Sequence, residues 1–325
     1  MTYATVIGTG SYLPDNIMTN DDLAGLVDTS NDWIVSRTGI KQRRITTGEN
    51  TSWLAYQASI RALQDSGMEA KDLDLIICAT ITPDSFMPSV ACMVQDLLGA
   101  GKAAAFDLSA ACTGLVYAMT VAASFIENGM YHNILVIGAE TLSKVMDWTD
   151  RSTCVLFGDG AGAVILSASN QRRGIRSIHL VSDGSKQDYL SLPALSVKNP
   201  FVTIEGKEAY QIISMKGQEV FKFATRTITE LIKIVLEKAE LEEQDIKYII
   251  AHQANYRIIE HAAKSSGISF DKFYMNLDRY GNTSAASIGI ALDEINARQL
   301  LQQGDKIILI GFGGGMTSGA ILLEW

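Results

Sequence analysis

The chain has 325 residues, 47% hydrophobic and 19% charged, so it can bury a large core as one big domain or two smaller ones. Its net charge of -9 argues against non-specific nucleic-acid binding, which needs a basic surface. The cysteines at positions 78, 92, 112 and 154 include no C-x-x-C pair and no close Cys/His cluster. We therefore predict neither a zinc site nor a disulfide framework, and a reduced, cytoplasmic protein.

The N-terminal segment MTYATVIGTGSYLP lacks the pattern of a signal peptide, and we expect a first strand and turn there. Apolar runs then alternate with segments of helical period, which predicts an α/β fold with buried, largely parallel strands. The predicted strands are 73–80, 103–108, 133–139, 161–167, 246–252 and 306–312.

Two helices stand out. Residues 108–126 carry no charge and reach the length of a membrane span, but they are rich in Ser, Thr, Ala and Gly and follow a strand directly. We predict a helix buried in a globular core, and no membrane. The clearest amphipathic helix lies at 219–239, and its apolar face comprises Val220, Phe223, Thr227, Leu231, Ile234 and Val235.

Cys112 stands where the segment FDLSAACTGL passes into the uncharged helix. Free N–H groups and the positive end of the helix dipole favour a thiolate there, which predicts a lowered pKa and a nucleophile suited to acyl groups. The alternative, open for any single cysteine, is a buried thiol that packs as a small hydrophobe.

The two halves of the chain repeat one order of elements. LDLIICATITPD corresponds to IKYIIAHQANYR, AFDLSAACTGLVYAM to NLDRYGNTSAASIGIAL, and NILVIGA with FGDGAGAVILS to KIILIGFGGGMTSGAILLEW. We predict an internal duplication with halves 1–170 and 171–325, in which Cys112 and Asn282 occupy corresponding helix-start turns. His252 and the glycines 313–315 then follow strands, where sites collect in such sheets.

The second half supplies candidate partners for the sulfur. His252 could donate or exchange a proton, and the Asn282 amide could donate to an oxyanion, although an isolated His is more often a core histidine and Asn282 alone would be explained as a turn residue. The glycine run GFGGGMTSGA lets backbone N–H groups approach a reacting carbonyl. Neither it nor FGDGAG has the spacing of a phosphate loop that opens a helix.

Six segments in this order closely resemble the β-ketoacyl-acyl carrier protein synthase III family: SNDWIVSRTGIKQRRI, FDLSAACTGL, DRSTCVLFGDGAGA, HQANYRII, YGNTSAAS and GFGGGMTSGA. The resemblance spans nearly the whole chain. It implies a duplicated thiolase-like α/β fold of five αβαβα layers with two buried central helices, and a homodimer. It also implies that an acyl-CoA primer and malonyl-acyl carrier protein react to initiate fatty acid synthesis, with no cofactor because coenzyme A enters as a substrate.

Matching positions imply individual roles. Cys112 would be the acyl-accepting nucleophile, and His252 and Asn282 would hold the malonyl thioester carbonyl. The amides of Cys112 and Gly314 would form an oxyanion hole, with Phe312 beside the sulfur. No metal site is implied.

Binding residues are implied in the same way. Those for the adenine end of coenzyme A are Trp33, Arg37 and Arg151; without the family, a packed indole and surface salt bridges would explain them. Those for the pantetheine tunnel are Gly217, Phe221 and Asn255. Those for the acidic carrier protein are Lys222, Arg257 and Lys264. Those for the acyl pocket are Met87 and Phe157.

The implied reaction has two stages. The Cys112 thiolate attacks the primer thioester and coenzyme A leaves. His252 and Asn282 then stabilise the enolate that forms as the malonyl group loses carbon dioxide, and this carbanion attacks the acyl-enzyme. Decarboxylation itself makes the nucleophile, so a strong general base is unnecessary, in keeping with the lack of a carboxylate in these motifs.

The chain departs from the family at three places. Ser318 replaces a common Trp, which alters packing behind the glycines. Met87 replaces a frequent aromatic residue that reaches across the dimer to the acyl pocket, so it either admits a longer or branched primer or merely fills space. Residues 186–214 form either a pocket wall or a surface excursion.

Other functions compatible with the sequence are a polyketide starter synthase, a synthase of the 3-hydroxy-3-methylglutaryl-CoA type, and a non-catalytic acyl or thiol sensor. The intact His252 and Asn282 pair disfavours the second, which relies on a catalytic Glu.

Overall fold

A computed structural model describes residues 2–197, 199–201 and 211–325. Each predicted strand is present. The strands are β1 (Tyr3–Tyr12), β2 (Ile17–Thr19), β3 (Gln42–Arg44), β4 (Leu75–Ala79), β5 (Ala104–Leu108), β6 (Asn133–Glu140), β7 (Gly160–Ser169), β8 (Gly174–Ser182), β9 (Leu190–Ser191), β10 (Ser214–Met215), β11 (Ile246–Ala251), β12 (Lys306–Gly313) and β13 (Thr317–Glu324).

The helices include both that the sequence predicts, at 114–127 and 217–239. They are α1 (Asn20–Ala24), α2 (Asn31–Thr38), α3 (Thr51–Ser66), α4 (Val90–Leu98), α5 (Gly114–Glu127), α6 (Arg151–Cys154), α7 (Gly217–Ala239), α8 (Tyr256–Ser266), α9 (Leu277–Tyr280) and α10 (Ala286–Ala297). Among the described residues, no helix is long and apolar enough to cross a membrane.

Two main sheets organise the fold, and both are mixed. The first has the order β1-β7-β6-β4-β5, with β4 parallel to β5 and β6, and β7 antiparallel to β6 and β1. The second has the order β11-β12-β13-β8, with only β11 and β12 parallel. The expectation of largely parallel strands is therefore wrong. In the second sheet the cause is local, because the short turn Gly314–Met316 joins β12 to β13 and permits only an antiparallel pair.

Five layers follow from the packing of helices on these sheets. α5 and α10 lie between the two sheets, α3 and α4 cover the outer face of the first, and α7 and α8 cover that of the second. α5 is uncharged over its buried length because apolar sheets flank it on both sides. α10 packs closely against β7, because Gly162 and Gly289 have no side chains where the two elements meet. A Cβ added to Gly162 would lie 2.5 Å from the Gly289 backbone.

The first sheet is drawn from residues 3–169 and the second from residues 174–324. The internal duplication and the division at 170 stay predictions. What matters for the site is that α5 and α10 begin side by side, since a Cβ on Gly114 would lie 3.3 Å from the Ala285 side chain. The turns before these two helices therefore meet in the centre of the molecule.

Candidate active site

Cys112 lies in the turn 111–113 that leads into α5, and its side chain is buried. The preceding Ala111 has φ 47, a left-handed conformation that non-glycine residues seldom adopt, so the backbone turns sharply just before the sulfur. Cys112 lines two cavities, of about 140 Å³ and about 870 Å³. We call them the small cavity and the large cavity.

The protonation of Cys112 differs from the sequence expectation. Burial raises the pKa of the thiol to about 12, although contact with the Ser284 hydroxyl lowers it in part. The free energy needed to remove the thiolate from water exceeds the stabilisation that the start of the helix gives it. The prediction of a lowered pKa is therefore wrong for the resting protein, and the thiol is neutral near pH 7.

His252 follows β11 and lines the small cavity beside Cys112. Its Nδ1 lies 2.8 Å from the Ser287 Oγ, which also accepts from the Gln253 N–H. The Ser287 hydroxyl can donate to Nδ1, and we assign the ring proton to Nε2 on this basis, which makes Nε2 a donor for the cavity. Burial lowers the pKa of His252 to about 3, so the ring is neutral.

Asn282 lines the small cavity too, and backbone bonds fix it there. Its N–H donates to the Leu156 carbonyl over 2.9 Å, and its own carbonyl accepts from Gly158 over 3.0 Å. Its Oδ1 accepts from the Ser284 N–H over 2.9 Å, so the Nδ2 group is the part left for the cavity. Ser284, which makes this bond, has φ 49, a strained left-handed conformation.

The glycine segment lies against the cysteine turn. A Cβ on Gly313 would lie 2.8 Å from the Cys112 Cβ, so no side chain fits there. Gly314 lines the large cavity with Cys112. The Thr317 hydroxyl ties the two segments, with Ala110 O at 3.1 Å and Gly314 O at 3.0 Å. The proposed oxyanion donors thus belong to one hydrogen-bonded unit.

Two aromatic side chains border the sulfur. Phe312 packs edge-on against His252, with ring centroids 5.1 Å apart, and lines the small cavity. Phe157 lines both cavities and forms an isolated bridge with Asn282. Ser318 is buried and pairs with Phe312 across β12 and β13, so it lies one strand behind the cavity.

The residues implied for coenzyme A fall into two connected groups. The guanidinium groups of Arg37 and Arg151 lie 4.7 Å and 4.8 Å from the centroid of the Trp33 ring. Asn255 joins this group to the small cavity, because its side chain lines that cavity and its Nδ2 donates to the Arg37 carbonyl over 3.1 Å. Gly217 and Phe221 line the same cavity.

The three cations implied for the carrier protein are exposed on α7 and α8. Two are paired within their own helix, Lys222 with Glu219 at 2.9 Å and Lys264 with Glu260 at 3.3 Å. Arg257 donates to the Ser36 carbonyl over 3.0 Å. The patch is thus less basic than three unpaired cations would make it.

The large cavity has a wall from the segment 186–214. Residues 190–194, Gln211 and Ile213 line it, so the described part of this segment is a pocket wall and more than a surface excursion; residues 198 and 202–210 of it lie outside the described residues. Met87 is 85% exposed and does not line the cavity of its own chain, whereas the neighbouring Phe86 does.

Sequence reasoning missed Ser284, Ser287 and Glu140. Ser284 holds Asn282 and Ser287 holds His252 by hydrogen bonds. Both serines belong to the motif YGNTSAAS that contains Asn282, and this position in the motif could have indicated their role. Glu140 is fully buried and accepts from the Ser284 hydroxyl over 3.1 Å. Nothing in the sequence joins it to Cys112. Among the described residues, no cluster of three His, Cys, Asp or Glu side chains is placed to hold a metal ion.

Comparisons with known proteins agree with this geometry. The family model "3-Oxoacyl-[acyl-carrier-protein (ACP)] synthase III" matches residues 106–184, and its C-terminal counterpart matches residues 236–325. The chain is similar to the beta-ketoacyl-[acyl-carrier-protein] synthase III of Clostridium acetobutylicum, with 53% identity over 100% of this chain and 99% of the relative.

Solved structures are similar over the same extent. The 3-oxoacyl-[acyl-carrier-protein] synthase III of Aquifex aeolicus VF5 has a TM-score of 0.92 and 45% identity, covering 99% of this chain and 100% of that one. The corresponding Thermus thermophilus enzyme has a TM-score of 0.93 and 40% identity, covering 99% of each chain. With its five-layer fold and its buried Cys, His and Asn side chains, the chain belongs to the 3-oxoacyl-[acyl-carrier-protein] synthase III family, a family of condensing acyltransferases.

Proposed function

We propose that the chain transfers an acyl group from an acyl-CoA primer to Cys112 and condenses it with malonyl-acyl carrier protein. The product is a 3-ketoacyl-acyl carrier protein, which starts fatty acid synthesis. The observation that carries this proposal is that Cys112 lines two cavities, one with His252 and Asn282 and one with Gly314. A single sulfur thus has two separate surroundings for two half-reactions.

In the first half-reaction Cys112 attacks the primer thioester. A bond forms between its sulfur and the carbonyl carbon, and the bond from that carbon to the coenzyme A sulfur breaks; the proton lost by the Cys112 thiol leaves with coenzyme A, which departs as a thiol. The amides of Cys112 and Gly314 stabilise the oxyanion, which is worth most in a site that excludes water. The large cavity holds the acyl chain, between Phe157 and the wall at 190–194.

In the second half-reaction His252 and Asn282 hold the malonyl thioester oxygen. The Nε2–H of a neutral His252 and the Nδ2 of Asn282 donate to the enolate that develops as carbon dioxide leaves. The carbanion attacks the acyl carbonyl, and the Cys112 thiolate is released. A neutral His252 suits this role because its ring donates a hydrogen bond to the enolate oxygen while carrying no positive charge itself.

The substrates approach over the surface around α2 and α8. Trp33 with its two arginines offers an aromatic, cationic site for the adenine and phosphates of coenzyme A. Asn255 leads from there to the small cavity, as the pantetheine arm requires. Lys222 and Arg257 supply positive charge for the acidic carrier protein on a chain of net charge -9.

The working form we propose is a cytoplasmic homodimer. Phe86 and Met87 are 71% and 85% exposed beside the large cavity, a position that a second copy would cover. The Met87 side chain of one protomer would then reach the acyl cavity of the other. Its flexible thioether favours a primer longer or more branched than an aromatic ring would admit.

The experiment separates the half-reactions by substitution. We expect Cys112→Ala to abolish acyl-enzyme formation from acetyl-CoA. We expect His252→Ala to acylate normally but to decarboxylate malonyl-acyl carrier protein about 10²–10³-fold more slowly, the loss typical of one removed oxyanion donor. Intact-mass spectrometry and release of carbon dioxide measure the two steps.

The matched control is His132→Ala, an exposed histidine outside both cavities. It should leave both half-reactions unchanged. Normal decarboxylation by His252→Ala would contradict the assignment of that residue. Acyl adducts that form on Cys112 but never condense would instead favour a sensor.

A further inference from the structure

Arg43 lies in the middle of β3 and is fully buried, although neither half-reaction above uses it. Burial lowers the pKa of its guanidinium to about 10, so the group is still charged at pH 7. Among the described residues, no carboxylate forms an ion pair with it, and its Nε has no hydrogen-bond partner. A buried charge without a paired carboxylate lowers the stability of a fold, so packing alone does not account for an arginine at this position.

The two terminal nitrogens of Arg43 hold different parts of the chain. Nη1 donates to the Asn20 Oδ1 over 2.8 Å and to the Met18 carbonyl over 3.3 Å. Nη2 donates to the Val155 carbonyl over 2.7 Å. Asn20 begins α1, and Val155 is the residue that follows α6. The planar fork of the guanidinium therefore joins these two elements, which a single ammonium group could not do in the same way.

The segment held at Val155 is the one to which Asn282 is bonded. The carbonyl of Leu156, the next residue, accepts from the Asn282 N–H over 2.9 Å. The Gly158 N–H donates to the Asn282 carbonyl over 3.0 Å. Residues 155–158 thus supply the backbone bonds that place Asn282 at the small cavity.

The stem of Arg43 packs against the same turn. A Cβ added to Gly158 would lie 3.1 Å from the Arg43 Cβ, and a Cβ added to Gly281 would lie 3.2 Å from it. Gly281 directly precedes Asn282, and it has φ 67, a left-handed conformation that favours glycine. The Arg43 side chain thus contacts the neighbours of Asn282 through its stem and holds their segment through its fork.

We propose that Arg43 is a positioning residue for decarboxylation, which fixes Asn282 so that its Nδ2 meets the malonyl thioester oxygen. Arg43 lines neither the small nor the large cavity, so it acts through Asn282. The Cys112 turn is held separately, because the Thr317 hydroxyl ties it to the glycine segment. The inference rests on the role proposed for Asn282, and it predicts a defect confined to the second half-reaction.

The test measures two rates in each variant, acylation of Cys112 at saturating acetyl-CoA and release of carbon dioxide from malonyl-acyl carrier protein. Arg43→Met keeps most of the stem and removes the fork. Its decarboxylation should fall about 10²-fold, as for a displacement of about 1 Å at a reacting group, while its acylation stays at the wild-type rate. Arg43→Lys keeps the charge but loses one side of the fork, so its decarboxylation rate should lie between those of Arg43→Met and the wild type.

Arg44→Met is the matched control on the same strand. The Arg44 guanidinium donates to the Pro14 and Asp15 carbonyls over 3.1 Å and 3.2 Å, and neither residue belongs to the segment 155–158. Both rates should stay at wild-type values in this variant. A loss of decarboxylation equal to that of Arg43→Met would show that any buried arginine of β3 has the same effect, and would overturn the proposal.

A double-mutant cycle with Asn282→Ala separates positioning from a general loss of structure. Because Arg43 acts through Asn282, Arg43→Met should slow decarboxylation no further once Asn282→Ala is present. An undiminished further loss in that background, or a proportional fall of both rates and of the acylated fraction, would overturn the proposal. Arg43→Lys takes the place of Arg43→Met in the cycle if the latter does not fold. Failure of the wild type to decarboxylate malonyl-acyl carrier protein would instead overturn the proposed function.

Discussion

Gly313 lies so close to Cys112 that the absence of a side chain is a requirement of the site. Its backbone is extended, with φ 175, so any residue could adopt the conformation. The requirement is steric, because a Cβ there would lie 2.8 Å from the Cys112 Cβ and 3.0 Å from the Cys112 nitrogen. The close contact sets how far the glycine segment stands from the sulfur.

We expect Gly313→Ala to push Cys112 away from the Gly314 amide. The variant should lose about 1–3 kcal/mol of unfolding free energy through overpacking. Its acylation rate should fall about 10²-fold, as for other displacements of about 1 Å in a reacting pair. Thermal unfolding and single-turnover acylation measure the two effects.

Gly101→Ala is the control for this substitution. A Cβ on Gly101 meets no atom within 4 Å, and its φ is not in the left-handed region. Stability and acylation should both stay at wild-type values. Unimpaired acylation by Gly313→Ala would show that the glycine segment does not position the sulfur.

At the scale of elements, α2 and the N-terminus of α8 are joined by hydrogen bonds into one unit, on which the proposed coenzyme A site lies. Arg37 and Trp33 lie on α2, and the Arg37 carbonyl accepts from Asn255, which caps α8. The Asn255 side chain thus joins the proposed adenine site to the proposed tunnel through the backbone carbonyl of Arg37. We expect removal of the Trp33 indole to weaken the binding of acyl-CoA without moving the Cys112 sulfur.

We expect Trp33→Ala to raise the KM for acyl-CoA about five- to tenfold with kcat nearly unchanged. The reason is that a remote stacking contact, worth about 0.5–1.5 kcal/mol, is made equally in the ground and transition states. Steady-state kinetics with varied acyl-CoA measure this. Trp53→Ala, which removes a half-exposed indole that lines neither cavity, should leave KM unchanged; a fall in kcat for Trp33→Ala would contradict the binding role.

The sequence predicted elements best where a local pattern governs them. The six strands and α7 follow from runs and periods of apolar residues, and the structure has them all. The relative direction of strands was predicted less well, because it depends on the connections. The turn Gly314–Met316 makes β13 antiparallel, although the run of glycines itself was evident.

The candidate site was predictable in its motifs and not in its buried contacts. The structure brings Cys112, His252 and Asn282 to one cavity, as the motifs indicated. Glu140 could not be assigned, because it meets Ser284 across 144 positions of sequence. The pKa of Cys112 was predicted with the wrong sign, since the depth of its burial depends on both halves of the chain.

At the scale of the whole molecule, the two central helices bring distant turns to one sulfur. α5 follows the turn that carries Cys112, and α10 follows the turn that carries Asn282 and Ser284. Because both helices are enclosed between the sheets, the sulfur is withdrawn from solvent, and Cys112 lines both the small and the large cavity. We expect that enclosure to protect the proposed acyl-enzyme from hydrolysis until the second substrate binds.

The most direct measurement is a pulse and chase on the wild-type protein by intact-mass and peptide mass spectrometry. Incubation with acetyl-CoA should add one acetyl group, located on Cys112. Addition of malonyl-acyl carrier protein should then remove that group and yield 3-ketobutyryl-acyl carrier protein. An acetyl group on another residue, or one on Cys112 that malonyl-acyl carrier protein does not discharge, would contradict the account.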